Sequence, residues 1–225
     1  MKPHYLGHRK RLRKRFLDNG IEALSDYEIL ELLLSFSIPV KDTKTIAKTL
    51  LKKYGSIKEV FSNLYIKDFL QITGVGEQSF VLFKLVNDIN KYIATEKFLK
   101  KKIIKSILDV VEFSKNIMWN LSVEEFRIIF LNSKNEILNC EKVAEGIVNE
   151  AYIYVRKIFE KAFYYHATAL ILIHNHPSGK AVPSKEDIAI TQKIVTLARD
   201  LGITIHDHVI IARDGFYSFN EHNRI

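Results

Sequence analysis

Two histidines and an aspartate at short spacing are the residues of this sequence best suited to chemistry. His174 and His176 end an apolar run over residues 169–173, and Asp187 comes eleven residues after the second histidine. Such a run predicts a short buried strand, and side chains at i and i+2 on a strand point to the same face. Two imidazoles and a carboxylate that leave a fourth position open can hold a catalytic zinc ion. The sequence therefore predicts a Zn2+ site.

A zinc hydrolase also needs a base and an oxyanion donor. Bound zinc lowers the pKa of a water molecule to about 7, and hydrolysis then requires a proton acceptor and a hydrogen-bond donor. Ser184, one helical turn before Asp187, is the candidate donor, and Glu124 or Glu125, at the start of a predicted strand, is the candidate base. Read alone, Ser184-x-x-Asp187 is also a helix capping box. Its conjunction with the histidine pair favours the metal site.

The elements that must position these residues lie in the second half of the chain, behind a helical first half. Helices are predicted over residues 4–17, 25–35, 41–54 and 56–60, followed by a helix–turn–helix hairpin around Gly74-Val-Gly76. The second of these helices begins with Ser25-Asp26-Tyr27-Glu28, which matches a capping box. A Lys-rich stretch at 95–105 is interpreted as a linker. Beyond it, helices are predicted over 106–118, 156–166 and 184–201, and strands over 124–131, 137–143, 151–155, 169–173, 203–211 and 216–219. The pattern predicts an all-helical domain over 1–94 and a mixed α/β (α+β) domain over 106–225.

The net positive charge is confined to the first half of the chain. Through residue 105 there are 21 Lys and Arg against 11 Asp and Glu, and beyond it 13 against 15. This asymmetry favours nucleic acid as a partner of the helical domain, with a merely solvated Lys-rich surface as the alternative. Arg9, Arg11 and Arg13 of the first helix are candidate contacts. Gly74 and Gly76 are others, because turn glycines let backbone N–H groups approach a phosphate, unless the hairpin serves only packing.

Composition argues against membrane and secreted classes. No apolar run approaches the roughly 20 residues that cross a bilayer, and the first residues are not followed by the apolar segment of a secretory signal. The single cysteine, Cys140, cannot form an intramolecular disulfide and fits a reducing compartment. We therefore expect a cytoplasmic protein without a membrane partner, in which Cys140 is a buried small hydrophobic residue.

The complete motif resembles a known bacterial family. The spacing His174-x-His176-x7-Ser184-x2-Asp187 is similar to the JAMM motif of MPN+ zinc metallopeptidases. A longer pattern resembles the RadC family, whose name labels it a DNA repair protein; it comprises His174-Asn-His-Pro-Ser-Gly, Pro183-Ser184-x-x-Asp187, Thr191 and Asp207-His208. The helical region with its glycine hairpin is similar to the front half of that family. The resemblance implies a helix-hairpin-helix-like domain followed by a JAMM/MPN-type mixed-sheet domain with cytidine-deaminase-like layers.

The resemblance also implies roles for individual residues. It makes the two histidines and the aspartate the zinc ligands and Ser184 the oxyanion donor. The family's glutamate precedes a phenylalanine by two positions, which favours Glu124 over Glu125 as the base. Asp207 and His208 could orient the ligating histidines from behind, with packing as the alternative reading.

The metal motif and the resemblance together imply a zinc-dependent hydrolase that cuts a peptide or isopeptide bond of a protein or peptide substrate, in a RadC-like protein associated with DNA repair. Two alternatives stay open. One is a DNA-binding accessory factor in repair or recombination whose metal site is structural or vestigial. The other is a metal-dependent nuclease, although nucleases more often use two metals. The sequence predicts neither the substrate nor the oligomeric state.

Overall fold

The computed structural model describes residues 4–62, 64–101, 103–118, 121–146 and 151–225, with only the backbone for 4–6 and 151–154. The chain divides into two compact units, Met1–Asn90 and Lys91–Ile225. Among the described helices, none combines the length and the apolar character that a membrane span requires.

The described residues of the first unit form helices and the turns between them, as the sequence predicts. The helices are α1 (His4–Asn19), α2 (Asp26–Ser37), α3 (Lys44–Tyr54), α4 (Ile57–Ser62), α5 (Ile66–Leu70) and α6 (Glu77–Leu99), with a 3-10 turn at Ile21–Ala23. The last turns of α6 belong to the second unit.

Helix α2 is central to the first unit because it buries two faces. Its N-cap is Ser25, whose backbone N–H donates to the Glu28 carboxylate at 3.0 Å, which confirms the predicted capping box. Leu30 and Leu34 enter a core shared with α3 and α6. Leu32, on another face, packs in a smaller cluster with Leu12 of α1 and Leu24. This explains why the apolar residues of α2 are too many for a single amphipathic stripe.

The second unit is a five-stranded mixed sheet with helices, which confirms the predicted mixed α/β fold. Its elements are α7 (Ile107–Met118), β1 (Glu125–Leu131), β2 (Ile137–Glu145), α8 (Ala151–Tyr164), β3 (Ala169–Asn175), α9 (Lys185–Asp200), β4 (Thr204–Ala212) and β5 (Gly215–Ser218). The strand order is β2-β1-β3-β4-β5. Strands β3 and β4 are parallel, and the other neighbouring pairs are antiparallel.

Helices cover both faces of this sheet, and β3 runs through its middle. Leu170 and Leu172 pack with α8 and α9, whereas Ile171 and Ile173 pack with α7 and the end of α6. Every residue of β3 is buried. A strand buried on both faces has a continuous apolar sequence rather than an alternating one, which is why the run before His174 is uninterrupted.

One predicted strand is wrong. Residues 151–155 were expected to form a short strand, but their backbone is the start of helix α8. Aromatic and β-branched residues at 152–155 favour a strand by local propensity. The helical spacing of Val155, Ile158, Phe159 and Ala162, all buried against the sheet, outweighs that preference.

The basic stretch 95–105 also differs from the expected linker. Residues 95–99 are the last turns of α6. Phe98 is buried, and its ring stacks on Phe113 of α7 with centroids 3.8 Å apart. Part of the segment is therefore a packed element of the second unit, because an aromatic residue among the lysines gives it a buried face.

Candidate metal centre

The three predicted ligands come together at the end of β3. Each offers one atom to a cluster whose members all lie within 4.8 Å of one another. The Nε2 atoms of His174 and His176 are 2.9 Å apart. Each Nε2 lies 3.3 Å from a different carboxylate oxygen of Asp187. His174 and Asp187 are buried, and His176 is half-buried, so the cluster opens to solvent on the side of His176.

The loop between the histidines and α9 is fixed by the β4–β5 turn. The Asp214 carboxylate accepts a hydrogen bond from the Ala181 backbone N–H at 2.9 Å. The Asp214 N–H in turn donates to the Gly179 carbonyl at 3.1 Å. Gly179 has a φ of 92°, a left-handed conformation that favours glycine. These bonds hold the loop that returns the chain from His176 to the first turn of α9.

Ser184 caps α9 and holds Asp187 at the same time. Its Oγ accepts from the Asp187 backbone N–H at 3.0 Å, as an N-cap does. Its backbone N–H and its hydroxyl donate to Asp187 Oδ2 at 2.7 and 2.6 Å. The capping box therefore also fixes the carboxylate of Asp187, the predicted ligand. Ser184 donates its single hydroxyl proton to that carboxylate in a hydrogen bond. The role of Ser184 as oxyanion donor stays a prediction.

The charges of the cluster favour a bound cation. Burial raises the pKa of Asp187, but the imidazoles of His174 and His176 outweigh it and hold that pKa well below its usual range. Burial lowers the pKa of His176, but the Asp187 carboxylate outweighs it and raises that pKa above its usual value. The site therefore keeps an ionised carboxylate and attracts positive charge, which a proton or a metal ion can supply.

Hydrogen bonding of His176 fits a metal ligand. Its Nδ1 lies 3.0 Å from the Lys180 carbonyl oxygen, and a carbonyl only accepts, so Nδ1 carries the proton. In the neutral ring, Nε2 then presents a lone pair toward the Asp187 carboxylate. Two imidazole nitrogens and one carboxylate are a ligand set of catalytic zinc sites, so the residues present fit zinc.

Glu125 is engaged away from the cluster. Its carboxylate is 2.9 Å from Arg127 Nε and 3.5 Å from Lys142 Nζ, and the residue is buried. A buried carboxylate already paired with two cations is a poor candidate for moving protons. The geometry therefore disfavours Glu125 as the base.

Glu124 is placed by the strand register on the same face of the sheet as His174. Phe126 pairs in register with His174 across β1 and β3, and a residue two positions earlier points to the same face. Glu124 and Glu125 both line the apolar pocket that His174 and Asp187 also line, so the pocket alone does not distinguish the two glutamates. Its charge also contributes to the raised pKa of His176. The pairing register thus supports Glu124, although its role as base stays a prediction.

Asn175, which the sequence reading missed, clamps the chain on both sides of Glu124. Its side-chain oxygen accepts from the Glu125 N–H at 2.7 Å, and its side-chain amide donates to the Val123 carbonyl at 3.0 Å. The Glu124 carbonyl accepts from the Gly146 N–H at 2.9 Å. The sequence did contain a signal for this role. Asn175 lies between the two histidines, and it is a polar residue in a buried strand.

His208 contacts the predicted ligand His174, whereas Asp207 supports the backbone. His208 Nε2 lies 2.7 Å from His174 Nδ1; the ring is fully buried, and burial lowers its pKa well below the usual value. Asp207 accepts from the backbone N–H groups of His208 and Asn220 and from the Ser218 hydroxyl. The two residues predicted to orient the ligands thus do different things.

A β-bulge separates His206 from the site. Leu170 pairs with Ile205 and Ile171 with Asp207, so His206 is the extra residue on β4. A bulge changes which side chains share a face, and here His208 shares the face of Ile205. His206 instead lies 2.7 Å from the Asn135 side-chain oxygen in the β1–β2 turn. His206 therefore lies apart from the group formed by His174, His176 and Asp187.

Cys140 takes no part in the site. It is a buried residue of β2, as expected. Burial raises the pKa of its thiol to about 12, so the thiolate that acts as a nucleophile is not available at neutral pH.

The predicted nucleic-acid contacts divide into buried and exposed residues. Arg9 is 7% exposed, and its guanidinium donates to the carbonyls of Pro39 and Lys41. The assignment of Arg9 as a phosphate contact is therefore corrected: it ties α1 to the loop after α2. Arg11 and Arg13 are exposed, and their role stays a prediction.

The two glycines of the hairpin are both exposed, but they differ in backbone conformation and in the space around them. Gly74 has a φ of 92°, and a Cβ on it would lie 2.9 Å from Ile46 Cδ1. Its lack of a side chain is needed for packing against α3. A Cβ on Gly76 would meet nothing within 4 Å. Packing therefore accounts for Gly74 and leaves Gly76 open to a binding role.

Comparison with known proteins covers nearly the whole chain. A family model described as RadC-like JAB domain matches residues 104–224, and one described as UPF0758 N-terminal matches residues 5–81. A UPF0758 protein of Fusobacterium nucleatum subsp. nucleatum is 36% identical over an alignment of 226 positions that covers 97% of each chain. The site residues from Glu124 to His208 all fall within the first match. The resemblance seen in the motif is thereby confirmed, and the chain belongs to the family of proteins with a RadC-like JAB domain.

Proposed function

We propose that this protein is a zinc-dependent hydrolase that cleaves a peptide or isopeptide bond. The observation that carries the proposal is the convergence of two imidazole nitrogens and a carboxylate beside Glu124. When bound, zinc supplies a Lewis acid and lowers the pKa of a water molecule toward about 7. His174, His176 and Asp187 would hold the ion.

The other residues have roles in moving and stabilising charge. Glu124 accepts a proton from the attacking water at its carboxylate and returns it to the leaving amine. Asn175 and Gly146 keep the Glu124 backbone in place through the hydrogen bonds described above. Ser184 fixes Asp187, and its hydroxyl would donate to a developing oxyanion by exchanging its bond to that carboxylate.

One observation favours the peptidase over the nuclease. In the part of the chain that the structure describes, a single group of His, Cys, Asp and Glu side chains is close enough to hold a metal ion. Nucleases that cut phosphodiesters commonly use two metal ions about 4 Å apart. A one-metal centre with a neighbouring glutamate is better suited to amide hydrolysis.

Zinc content and paired activity assays test this proposal. Purified protein should carry one zinc, and His174→Ala should lose it. A peptide library and a plasmid are then digested side by side with wild type, Glu124→Gln and Glu125→Gln. Glu124→Gln should lower the rate about 10²- to 10⁴-fold with zinc content unchanged, whereas Glu125→Gln should retain a much larger rate.

Three results would count against it. Absence of zinc, or zinc unchanged in His174→Ala, rejects the metal site. Full activity in Glu124→Gln rejects the assigned base. Cleavage of the plasmid but of no peptide assigns the centre to phosphodiesters, and zinc without either activity leaves a structural metal in an accessory factor.

For the helical unit we propose contact with nucleic acid through α1. The support is a run of exposed basic residues, Lys10, Arg11, Arg13 and Lys14, on a helix that contains a single acidic residue, Asp18. Basic residues gathered on one helix are the electrostatic footprint of a polyanion-binding surface.

A further inference from the structure

We propose that Thr191 and His208 form a hydrogen-bond relay that fixes the tautomer of His174, so that its Nε2 lone pair faces the metal. The relay deepens the proposed function and rests on it for its purpose. His208 and Thr191 are positioning residues here, since they act through His174.

The backbone carbonyl of Asp187, which can only accept a hydrogen bond, determines which atom donates in each bond of the relay. The Thr191 Oγ lies 2.5 Å from the Asp187 carbonyl oxygen, and a carbonyl only accepts. The single hydroxyl proton of Thr191 is therefore used in that bond. His208 Nδ1 lies 2.6 Å from the same Oγ, so Nδ1 must be the donor and must carry the proton.

The protonation of His208 in turn determines which ring nitrogen of His174 carries the proton. A neutral His208 that is protonated on Nδ1 has a lone pair on Nε2. His174 Nδ1 lies 2.7 Å from that Nε2 and must donate to it. His174 then carries its proton on Nδ1, and its Nε2 presents a lone pair toward Asp187 and His176. A metal ligand needs this unprotonated nitrogen.

Surrounding groups leave His208 few other options. The ring is fully buried. It stacks on Phe219 with centroids 4.8 Å apart and meets Phe126 edge-on at 5.4 Å. Thr191 is also fully buried. Aromatic faces offer imidazole nitrogens no comparable acceptor, so Thr191 is the group that decides which nitrogen of His208 is protonated.

The relay prevents an internal bond that would disable the site. The Nε2 atoms of His174 and His176 are 2.9 Å apart. If His174 carried its proton on Nε2, it would donate to His176, and both lone pairs would be lost to the metal. With the proton held on Nδ1, two lone pairs and a carboxylate face one another, an arrangement that a cation relieves.

Conservative variants of Thr191 test the relay without relying on enzymatic activity. Thr191→Val keeps the shape and removes the hydroxyl, and Thr191→Ser restores it. Thr196→Val is the matched control, because Thr196 makes the same backbone hydrogen bond one turn on, to Gln192, on an exposed face of α9. Zinc dissociation constants come from competition with a chromogenic chelator. Thr191→Val should weaken zinc about 10- to 100-fold, and the other two variants should stay close to wild type.

The tautomer itself is read from the metal-free wild-type protein, so the test survives if Thr191→Val does not fold. Long-range ¹⁵N–¹H spectra of the neutral histidines should give the Nδ1-protonated form for His174 and for His208. An Nε2-protonated His174 overturns the relay, as does a folded Thr191→Val protein that binds zinc like Thr196→Val.

The two proposals fail separately in these measurements. If wild type binds no zinc but His174 holds the Nδ1-protonated form and Thr191→Val loses it, the relay stands and the zinc hydrolase fails. If wild type and Thr191→Val bind zinc equally tightly, the metal centre stands and the relay fails.

Discussion

Ser184 joins two functions in one hydroxyl group. It begins α9 as an N-cap, and it holds the carboxylate of Asp187, the predicted metal ligand. In the sequence, the capping box and the ligand motif are alternative interpretations of Ser184-x-x-Asp187. In the structure, the capping hydrogen bonds themselves hold the Asp187 side chain in position. The position of Asp187 therefore depends on the stability of the helix start.

Substitution of Ser184 separates helix capping from catalysis. Ser184→Ala should lower the free energy of unfolding by about 1 kcal/mol and weaken zinc binding, because Asp187 loses two bonds to the Ser184 side chain. Ser184→Thr keeps the hydroxyl and should restore both, which urea unfolding and chelator competition measure.

The rate at saturating zinc then tests the oxyanion role. If the hydroxyl donates to the transition state, Ser184→Ala stays about 10²- to 10³-fold slower even when its zinc site is filled. Unchanged zinc affinity in Ser184→Ala would contradict its part in holding Asp187.

At the scale of elements, the hairpin between α5 and α6 combines a packing glycine with an open one. Gly74 is constrained by its φ and by Ile46, and Gly76 is not. The carbonyl of Gly76 accepts from Ser79 and Phe80, so this residue also begins α6. The hairpin geometry alone therefore explains only one of the two glycines.

A pair of alanine substitutions tests this difference. Gly74→Ala should lower the free energy of unfolding by about 1–3 kcal/mol for the left-handed backbone alone, with the contact on Ile46 added. Gly76→Ala should cost less than about 1 kcal/mol. Urea unfolding of the full chain measures both, and equal losses would contradict the assignment.

The same elements explain what the sequence could predict. Helices α2 and α9 and strand β3 were predicted because capping boxes and an uninterrupted apolar run are local signals. The strand expected at 151–155 failed because burial of one helical face outweighed local β-propensity. The choice between Glu124 and Glu125 from the residues alone needed the register of β1 on β3, which no local signal contains.

The bulge on β4 and the burial of Arg9 were beyond sequence reasoning for a related reason. Both depend on partners far along the chain: β3 for the bulge, and the carbonyls of Pro39 and Lys41 for Arg9. A basic residue in a basic helix looks the same in the sequence whether its side chain faces solvent or donates hydrogen bonds to the carbonyls of a loop. Only the tertiary contact separates the two.

At the scale of the whole molecule, the metal site depends on the order of the sheet. Strand β3 supplies His174 and leads directly to His176, β1 brings the Glu124 segment on one side, and β4 brings His208 on the other. The charge, by contrast, is concentrated in the other half: the chain has a net charge of +8, and the residues after 105 contribute none of it. The candidate metal site and the excess positive charge therefore lie in different parts of the chain.

Charge reversal on α1 tests whether this excess binds nucleic acid. Arg11→Glu with Arg13→Glu should weaken DNA binding and reduce the slope of log affinity against log salt by about 0.9 for each lost phosphate contact. The matched control is Lys134→Glu with Lys157→Glu, which makes the same change in net charge on exposed residues of the second unit. Fluorescence anisotropy over a salt series measures both. The expected control slope is that of wild type, since an effect of net charge alone would act through either pair. Equal losses in the two variants would show that α1 is not the contact surface and that its basic residues serve solvation.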